Sequence, residues 1–449
     1  MAFLFSKYLV SPIFVFFIKL ANVTIQDLYQ LYLQYPSVQT DTRKIKQGDI
    51  FFALSGPNFN GNNFALTALE KGAAYAIVDD DIQGADNRII RVEDTLITLQ
   101  ELAKYHRKQF NIPFIAITGS NGKTTTKELV SSVLASHFKT YTTQGNLNNH
   151  IGIPLTLLQI KKDAEIAVIE MGANHQKEIE GYCEYVEPTH GIITNCGKAH
   201  LEGFGGLEGV RKGKGELFDY IRKHHGSIFI FNDYDYLMEM SEGIDKVFTY
   251  GTKMADTVGK AVSITNFLMV DLMDESMSHT IQTNLVGDYN LPNALCAVSI
   301  GKYFNVPLRK IISAIETYNP GNSRSQMVNK DTNHIILDAY NANPSSMKLA
   351  IENMAHMKAE NKVLFLGGMM ELGLDSLNEH QKIIELIEKN KWGKVILVGG
   401  EFENVHHTFI YFNSADEATI WAAKQGFTNT YFLVKGSRSM HMEKVVEVL

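Results

Sequence analysis

The stretch Phe114–Leu129, FIAITGSNGKTTTKEL, most constrains what this chain can become. An apolar run of strand formers enters a turn with two glycines, Gly119 and Gly122, and leaves through Lys123 and Thr124 into a helical pattern. The apolar face of that helix is Leu129, Val130, Val133 and Leu134. Strand, glycine loop and helix in this order belong to a parallel α/β fold and form a natural phosphate cradle. The usual spacing is G-x-x-x-x-G-K-[ST]. Here Gly119 stands three residues before Gly122, and Ile117 occupies the place of the usual first glycine. The shortening leaves the physics intact. Loop N–H groups and the positive helix end favour an anion. Lys123 supplies a point charge for the β- and γ-phosphates, and Thr124 a hydroxyl for Mg²⁺. The bland alternative, a plain turn with a surface lysine, has to explain why all four features agree.

A chain of 449 residues corresponds to about three domains at ~150 residues each. Hydrophobic content of 45% and charged content of 20% fit a soluble globular protein. The net charge of −7 argues against a nucleic-acid surface, which needs a basic face. Cys183, Cys196 and Cys296 show no C-x-x-C spacing, which disfavours a disulfide framework or zinc site and suits a reducing cytoplasm. Residues 1–22 carry an apolar run between Lys7 and Lys19, broken by Ser11 and Pro12 and too short to span a bilayer. They read as an extension ahead of the first domain, with loose membrane association or an export signal as the alternatives and no stable insertion expected.

From Val23 the pattern is mixed α/β. Short strands in GDIFFALSG and AAYAIVDD, and a helix through RVEDTLITLQELAKYHRKQ, make a first unit, 23–109. A second, 110–319, holds FIAIT, AEIAVIEMG, HGIITNCG and SIFIFND, continuous apolar runs that suit buried parallel strands. Alternation after Val247 suggests an antiparallel patch, followed by the helix LPNALCAVSIGKYF. YNPGNSRSQ reads as a linker into a third unit, 320–449, with strands in HIILDAYNANP, KVLFLGGMMELG, KVILVGG and YFLVKGSRS. Their polar carboxyl ends are where a doubly wound sheet places its ligand.

Two further features bear on chemistry. Glu170 ends the strand AEIAVIE, where a carboxylate beside a phosphate loop suits Mg²⁺. His200 follows the strand HGIITNCG, with Lys212 and Lys214 twelve and fourteen residues on. Spacing alone leaves these three open between ordinary surface roles and functional ones.

GNLNNHIGIPLTLL, EMGANH, ITNCGKAHLEGFG, DAYNANPSSM and KGSRSMHME, together with the short G-x-x-G-K-T loop, resemble signature blocks of the Mur ligases from residue 23 to the end. These are ATP-dependent amide-forming enzymes of peptidoglycan precursor synthesis. The resemblance is nearest to the member that joins D-alanyl-D-alanine to UDP-N-acetylmuramoyl-tripeptide through an acyl phosphate. It implies a central parallel-sheet ATPase domain, flanked by an N-terminal α/β domain for the UDP substrate and a C-terminal Rossmann-like cap. By the same resemblance Gly119, Ser120, Asn121, Gly122, Lys123, Thr124, Thr125, Asn293, Arg324, Asp338, Tyr340 and Asn341 bind ATP, with Asn293 reading the adenine. Thr42, Arg43 and Asn148 meet the UDP substrate. Thr124 and Glu170 hold one Mg²⁺ ion, and His200 and Lys214, the latter as a CO₂-derived carbamate, serve a second. Lys123, His200 and Lys214 are the implied catalytic set, Lys214 being preferred to Lys212 because KGELF continues the matched block. Lys435–Arg438 would face the dipeptide or the cap contacts. A monomer is expected. Two departures from the pattern fall at Asn60, where aspartate is common, and at Gln176–Lys177, where glycine is usual. Rival readings are a superfamily relative adding a single amino acid or extending folate with glutamate, and a non-catalytic nucleotide-binding relative.

Overall fold

The computed structural model describes residues 23–449 apart from 84–85, 263–265, 275–276 and 322, so the apolar extension lies outside the described residues. The chain forms two compact units that meet in sequence between His106 and Arg107.

In the first unit four parallel strands lie in the order Val38–Gln39, Ile50–Phe52, Tyr75–Val78, Ile89–Arg91. Phe51, Ala76 and Val78 pack with Ala65, Ala68 and Leu69 of the Ala65–Glu70 helix. The expected strands and helices are present. A small hairpin, Ser55–Gly56 with Phe59–Asn60, was not anticipated. Asn60 serves there as a cap, its side chain accepting from the Asn62 N–H at 2.9 Å, a role an aspartate performs equally well.

The second unit contains two sheets. The larger has nine strands, in the order Met277–Val286, Phe267–Asp274, Thr257–Val262, Lys246–Gly251, Ser227–Phe231, His190–Ile193, Phe114–Thr118, Ile166–Glu170, Thr140–Thr142. The first three pair antiparallel, as the alternation predicts, and the rest are parallel. Four elements build the site: β1 (Phe114–Thr118), α1 (Lys123–Ala135), β2 (Ile166–Glu170) and β3 (His190–Ile193). Every residue of these three strands is buried, which explains their predominantly apolar sequence, broken only by Thr118, Glu170 and His190 at strand ends. Leu129, Val130, Val133 and Leu134 of α1 are fully buried, as the pattern predicts. α2 (Leu207–Lys223) and α3 (Leu291–Tyr303) complete the site's scaffold.

The six-stranded sheet runs Gln326–Lys330, Asn333–Asp338, Thr430–Lys435, Asn361–Gly367, Lys394–Val398, Ile410–Phe412. It is parallel except for the Gln326–Lys330 edge. Both edge strands were missed in the sequence; they are short, half-buried segments with weak apolar signal. The strands β4 (Asn333–Asp338) and β5 (Thr430–Lys435) end side by side, Asp338 in register with Lys435.

Candidate active site

Gly119 has φ +139°, and a Cβ there would lie 2.0 Å from Thr194 Oγ1; Gly122 has φ +78°, and its Cβ would lie 2.7 Å from Asn293 Oδ1. Both glycines are therefore required by backbone conformation and by close approach. The loop is seated on the end of β3. The Ser120 N–H donates to Asn195 O at 2.9 Å, the Asn121 N–H to Asn195 Oδ1 at 3.1 Å, and Thr194 Oγ1 to Asn121 O at 2.7 Å. Gly122 caps α1 without a side-chain acceptor, so the helix's positive end is left for a ligand. Lys123 folds back over the loop, donating to Gly119 O at 2.6 Å. Burial, opposed by Glu170 and reinforced by Arg324, lowers its ammonium to about 8.

Beside the loop, Glu170 Oε1 accepts from Thr124 Oγ1 at 3.1 Å and from Asn148 Nδ2 at 2.7 Å. Its other oxygen, Oε2, is buried with no hydrogen-bond partner among the described residues. A carboxylate oxygen cannot be left so without cost, and a buried orphan oxygen next to a threonine hydroxyl is a fitting donor set for Mg²⁺.

Lys214, on α2, is 1% exposed. Its Nζ donates to Ala173 O at 2.9 Å and lies 4.8 Å from the Phe204 ring centroid. Burial first, then the charge of Lys123, pushes its amine down to about 7. Lys212, two residues away, is exposed. His200, at the start of the Leu201–Phe204 helix that follows β3, adopts φ +52°, and its Nδ1 is hydrogen-bonded to the Glu371 carboxylate. Lys177, one of the Gln176–Lys177 pair where the resembled pattern usually has a glycine, has φ +73°, a conformation that costs a non-glycine residue about 1 kcal/mol.

The six-stranded sheet meets this loop directly. Asn343, which caps the Pro344–His356 helix, donates from Nδ2 to Asn121 Oδ1 at 2.7 Å. The Lys198 N–H donates to Ser345 Oγ at 3.0 Å, and Lys198 Nζ pairs with Glu379 at 2.7 Å. Fully buried Lys435 pairs with Asp338 at 2.6 Å and donates to Asn341 O at 3.1 Å. The Arg324 guanidinium lies 3.5 Å from the Tyr340 ring centroid. Between them lies a cavity of about 840 Å³, lined by Ser120–Thr125, Asn148, Glu170, His200, Asn293, Arg324, Asp338, Tyr340 and Asn341 among others, large enough for a nucleotide and part of a second substrate.

The Mur ligase middle-domain model matches residues 117–301, the Mur ligase glutamate-ligase-domain model 323–438, and the Mur ligase family catalytic-domain model 34–107. A UDP-N-acetylmuramoyl-tripeptide–D-alanyl-D-alanine ligase of Escherichia coli is 33% identical over 92% of this chain and 93% of its own. The chain belongs to the Mur ligase family. The corresponding Bacillus subtilis ligase is 31% identical, with 92% of both chains covered. Among solved structures, MurF from Acinetobacter baumannii superposes on this Mur ligase with a TM-score of 0.83 at 30% identity, covering 93% of this chain and 97% of the other. MurF ligase from Thermotoga maritima in complex with ADP gives 0.83 at 25% identity over the same shares.

In this Mur ligase the residues expected around ATP gather at one cavity, with Gly119 behind it as a backbone pivot. Three of the expected residues that line the cavity also carry hydrogen bonds within the protein. Asn148, expected on the UDP substrate, is hydrogen-bonded to Glu170. Asn293, expected to read adenine, already accepts from Thr126 Oγ1 at 3.0 Å and donates to Asn290 Oδ1 at 2.8 Å. Lys435, expected toward the dipeptide or cap contacts, is committed to Asp338. Thr42 and Arg43 belong to the first unit. The Thr42 carbonyl accepts from Lys71 Nζ at 3.1 Å, and Arg43 grips Asp41 through two hydrogen bonds of 2.9 and 2.8 Å while its side chain stays exposed. Sequence reasoning missed Asn343, Ser345, Glu371 and Glu379. Only Asn343, as a cap before proline, carried a local signal.

Proposed function

We propose that this Mur ligase joins D-alanyl-D-alanine to UDP-N-acetylmuramoyl-tripeptide with hydrolysis of ATP, in peptidoglycan precursor synthesis. The observation that carries the reading is the convergence of an uncapped helix start, Lys123 and the orphaned Glu170 oxygen on one cavity, with buried Lys214 hydrogen-bonded to Ala173 of its lining. The tripeptide carboxylate attacks the γ-phosphorus, ADP departs, and an acyl phosphate forms. The dipeptide amine then attacks the acyl carbon, phosphate leaves, and the amine's extra proton goes to solvent or a nearby base.

Bringing a carboxylate to a triphosphate juxtaposes like charges, so this chain's task is positioning and neutralisation. The loop N–H groups and α1 hold the phosphates, Lys123 turns from the loop carbonyls to the phosphate oxygens, and the β4–β5 end encloses the cavity. Enclosure matters because an acyl phosphate must be kept from water until the amine arrives. Bound Mg²⁺ supplies further neutralisation at the transferring phosphate; Thr124 and Glu170 are the residues to hold one ion, and His200 with a carbamate on Lys214 a second. The carbamate forms when the neutral Lys214 amine attacks CO₂ and a proton is lost. Its burial and lowered basicity support that role. Thr42 and Arg43 remain the residues assigned to the UDP moiety. Nucleotide-linked substrates support a cytoplasmic enzyme; separately, among the described residues no helix is long and apolar enough to cross a membrane. A tripeptide labelled with ¹⁸O in its terminal carboxylate tests the route: one ¹⁸O should appear in the released phosphate, and its absence would exclude the acyl phosphate.

A further inference from the structure

We infer that Glu371 is a positioning residue for His200, so that the second metal position becomes competent only with the six-stranded sheet's Gly367–Glu371 turn in place. The inference rests on the proposed role of His200 as a ligand. Among the described residues, the imidazole's one hydrogen bond joins Nδ1 to the Glu371 carboxylate. An ionised carboxylate only accepts, so in the neutral imidazole this contact selects the tautomer with the proton on Nδ1 and leaves Nε2 the lone pair that a metal requires. A carboxylate behind a metal-binding histidine fixes both tautomer and ring orientation and strengthens the donor.

The surroundings hold this pair in place. His200 and Glu371 are both non-glycine residues in the left-handed region, φ +52° and +62°. Such conformations persist where the neighbouring structure imposes them, and they cluster at functional positions. The Glu371 turn is pinned from inside its own sheet. The Met369 N–H donates to Nε2 of fully buried His380 at 3.0 Å, and the Met370 N–H to Ser437 Oγ at 3.0 Å. From the other side the Glu202 N–H reaches Glu371 O at 3.4 Å, and Lys198, two residues before His200, pairs with Glu379 on the Ser376–Glu388 helix that follows the turn. Glu371 is thus delivered by a separate sheet onto a residue that lines the cavity. Metal loading and the seating of that sheet are thereby coupled.

The test uses the full chain with ADP and bicarbonate and measures Mn²⁺ binding by electron paramagnetic resonance, a readout independent of turnover. Glu371→Ala should weaken the weaker Mn²⁺ site about 10- to 100-fold. Glu371→Gln, which can still accept from Nδ1–H, should fall between Ala and the parent chain. Glu379→Gln, which loosens the neighbouring contact without touching His200, should change Mn²⁺ affinity less than about twofold on the same reasoning. Circular dichroism confirms that each variant is folded. An unchanged isotherm in Glu371→Ala, with the weaker site lost in His200→Ala, overturns the role of Glu371 alone. An unchanged isotherm in His200→Ala overturns the ligand role and this inference with it. Equal losses in Glu371→Ala and Glu379→Gln reduce Glu371 to a docking contact and also overturn it.

Discussion

Lys214 is the residue on which the chemistry can be tested most sharply. It sits on α2 at 1% exposure, between the Ala173 carbonyl and the Phe204 ring, where burial and Lys123 bring its amine from the ordinary 10.5 to about 7. Only a neutral amine attacks CO₂. At pH 7.5 a group titrating at 7 is about three-quarters neutral, whereas one titrating at 10.5 is about one part in a thousand neutral. The fold thus raises the reactive fraction by roughly 700-fold on these values. Replacing Lys214 with alanine removes the anion that carbamylation would create near the phosphates. Turnover should fall by about 10²- to 10³-fold, the usual cost of deleting one preorganised electrostatic group. Phosphate release gives the rate, and a short-chain carboxylic acid added to Lys214→Ala should restore part of it. Enzyme loaded with ¹³C-bicarbonate should show a carbamate carbon that the variant lacks. Lys212→Ala, altering an exposed neighbour, should stay within a few-fold of the parent. Undiminished turnover in Lys214→Ala would refute the reasoning.

The same two lysines predict a bell-shaped pH profile for kcat/KM of ATP, which reports the free enzyme. It should rise as Lys214 loses its proton through about 7 and fall as Lys123 loses its charge through about 8; at fixed dissolved CO₂, acid-rescued Lys214→Ala should lack the rising limb. Gly119→Ala forces a side chain into φ +139° and to within 2.0 Å of Thr194 Oγ1, so calorimetric titration with ADP should show at least ~10-fold weaker binding, about 1.4 kcal/mol. Asp338→Asn leaves the Lys435 cation buried without its partner and should cost about 3–5 kcal/mol in urea unfolding. Lys435→Met should cost less, and a loss below ~0.5 kcal/mol in Asp338→Asn, the range of an ordinary surface change, would contradict the buried-pair argument.

The phosphate loop was legible because its chemistry is local: glycines for the turn, a lysine and a threonine next in the chain, an amphipathic helix after them. Glu170 was legible for a related reason, since strand ends beside such a loop converge in this fold class. What escaped were contacts between distant segments. His200 and Glu371 are 171 residues apart, Asn121 and Asn343 are 222 apart, and Asp338 and Lys435 are 97 apart. No periodicity encodes such pairs, and a glutamate in a glycine-rich turn reads as a solvated side chain until the sheets are assembled. Lys214 lies between these cases. Only the packing of α2 separates it from exposed Lys212, because both sit on one helix two positions apart. The edge strands Gln326–Lys330 and Ile410–Phe412 were missed because pairing on one side only leaves their composition mixed.

The identity of the acceptor and of the nucleophile is tested most directly by ADP release with each substrate omitted in turn. Turnover is expected only when UDP-N-acetylmuramoyl-tripeptide and D-alanyl-D-alanine are both present with ATP, with a product whose mass is their sum less one water. Equal turnover with a single amino acid in place of the dipeptide would contradict it.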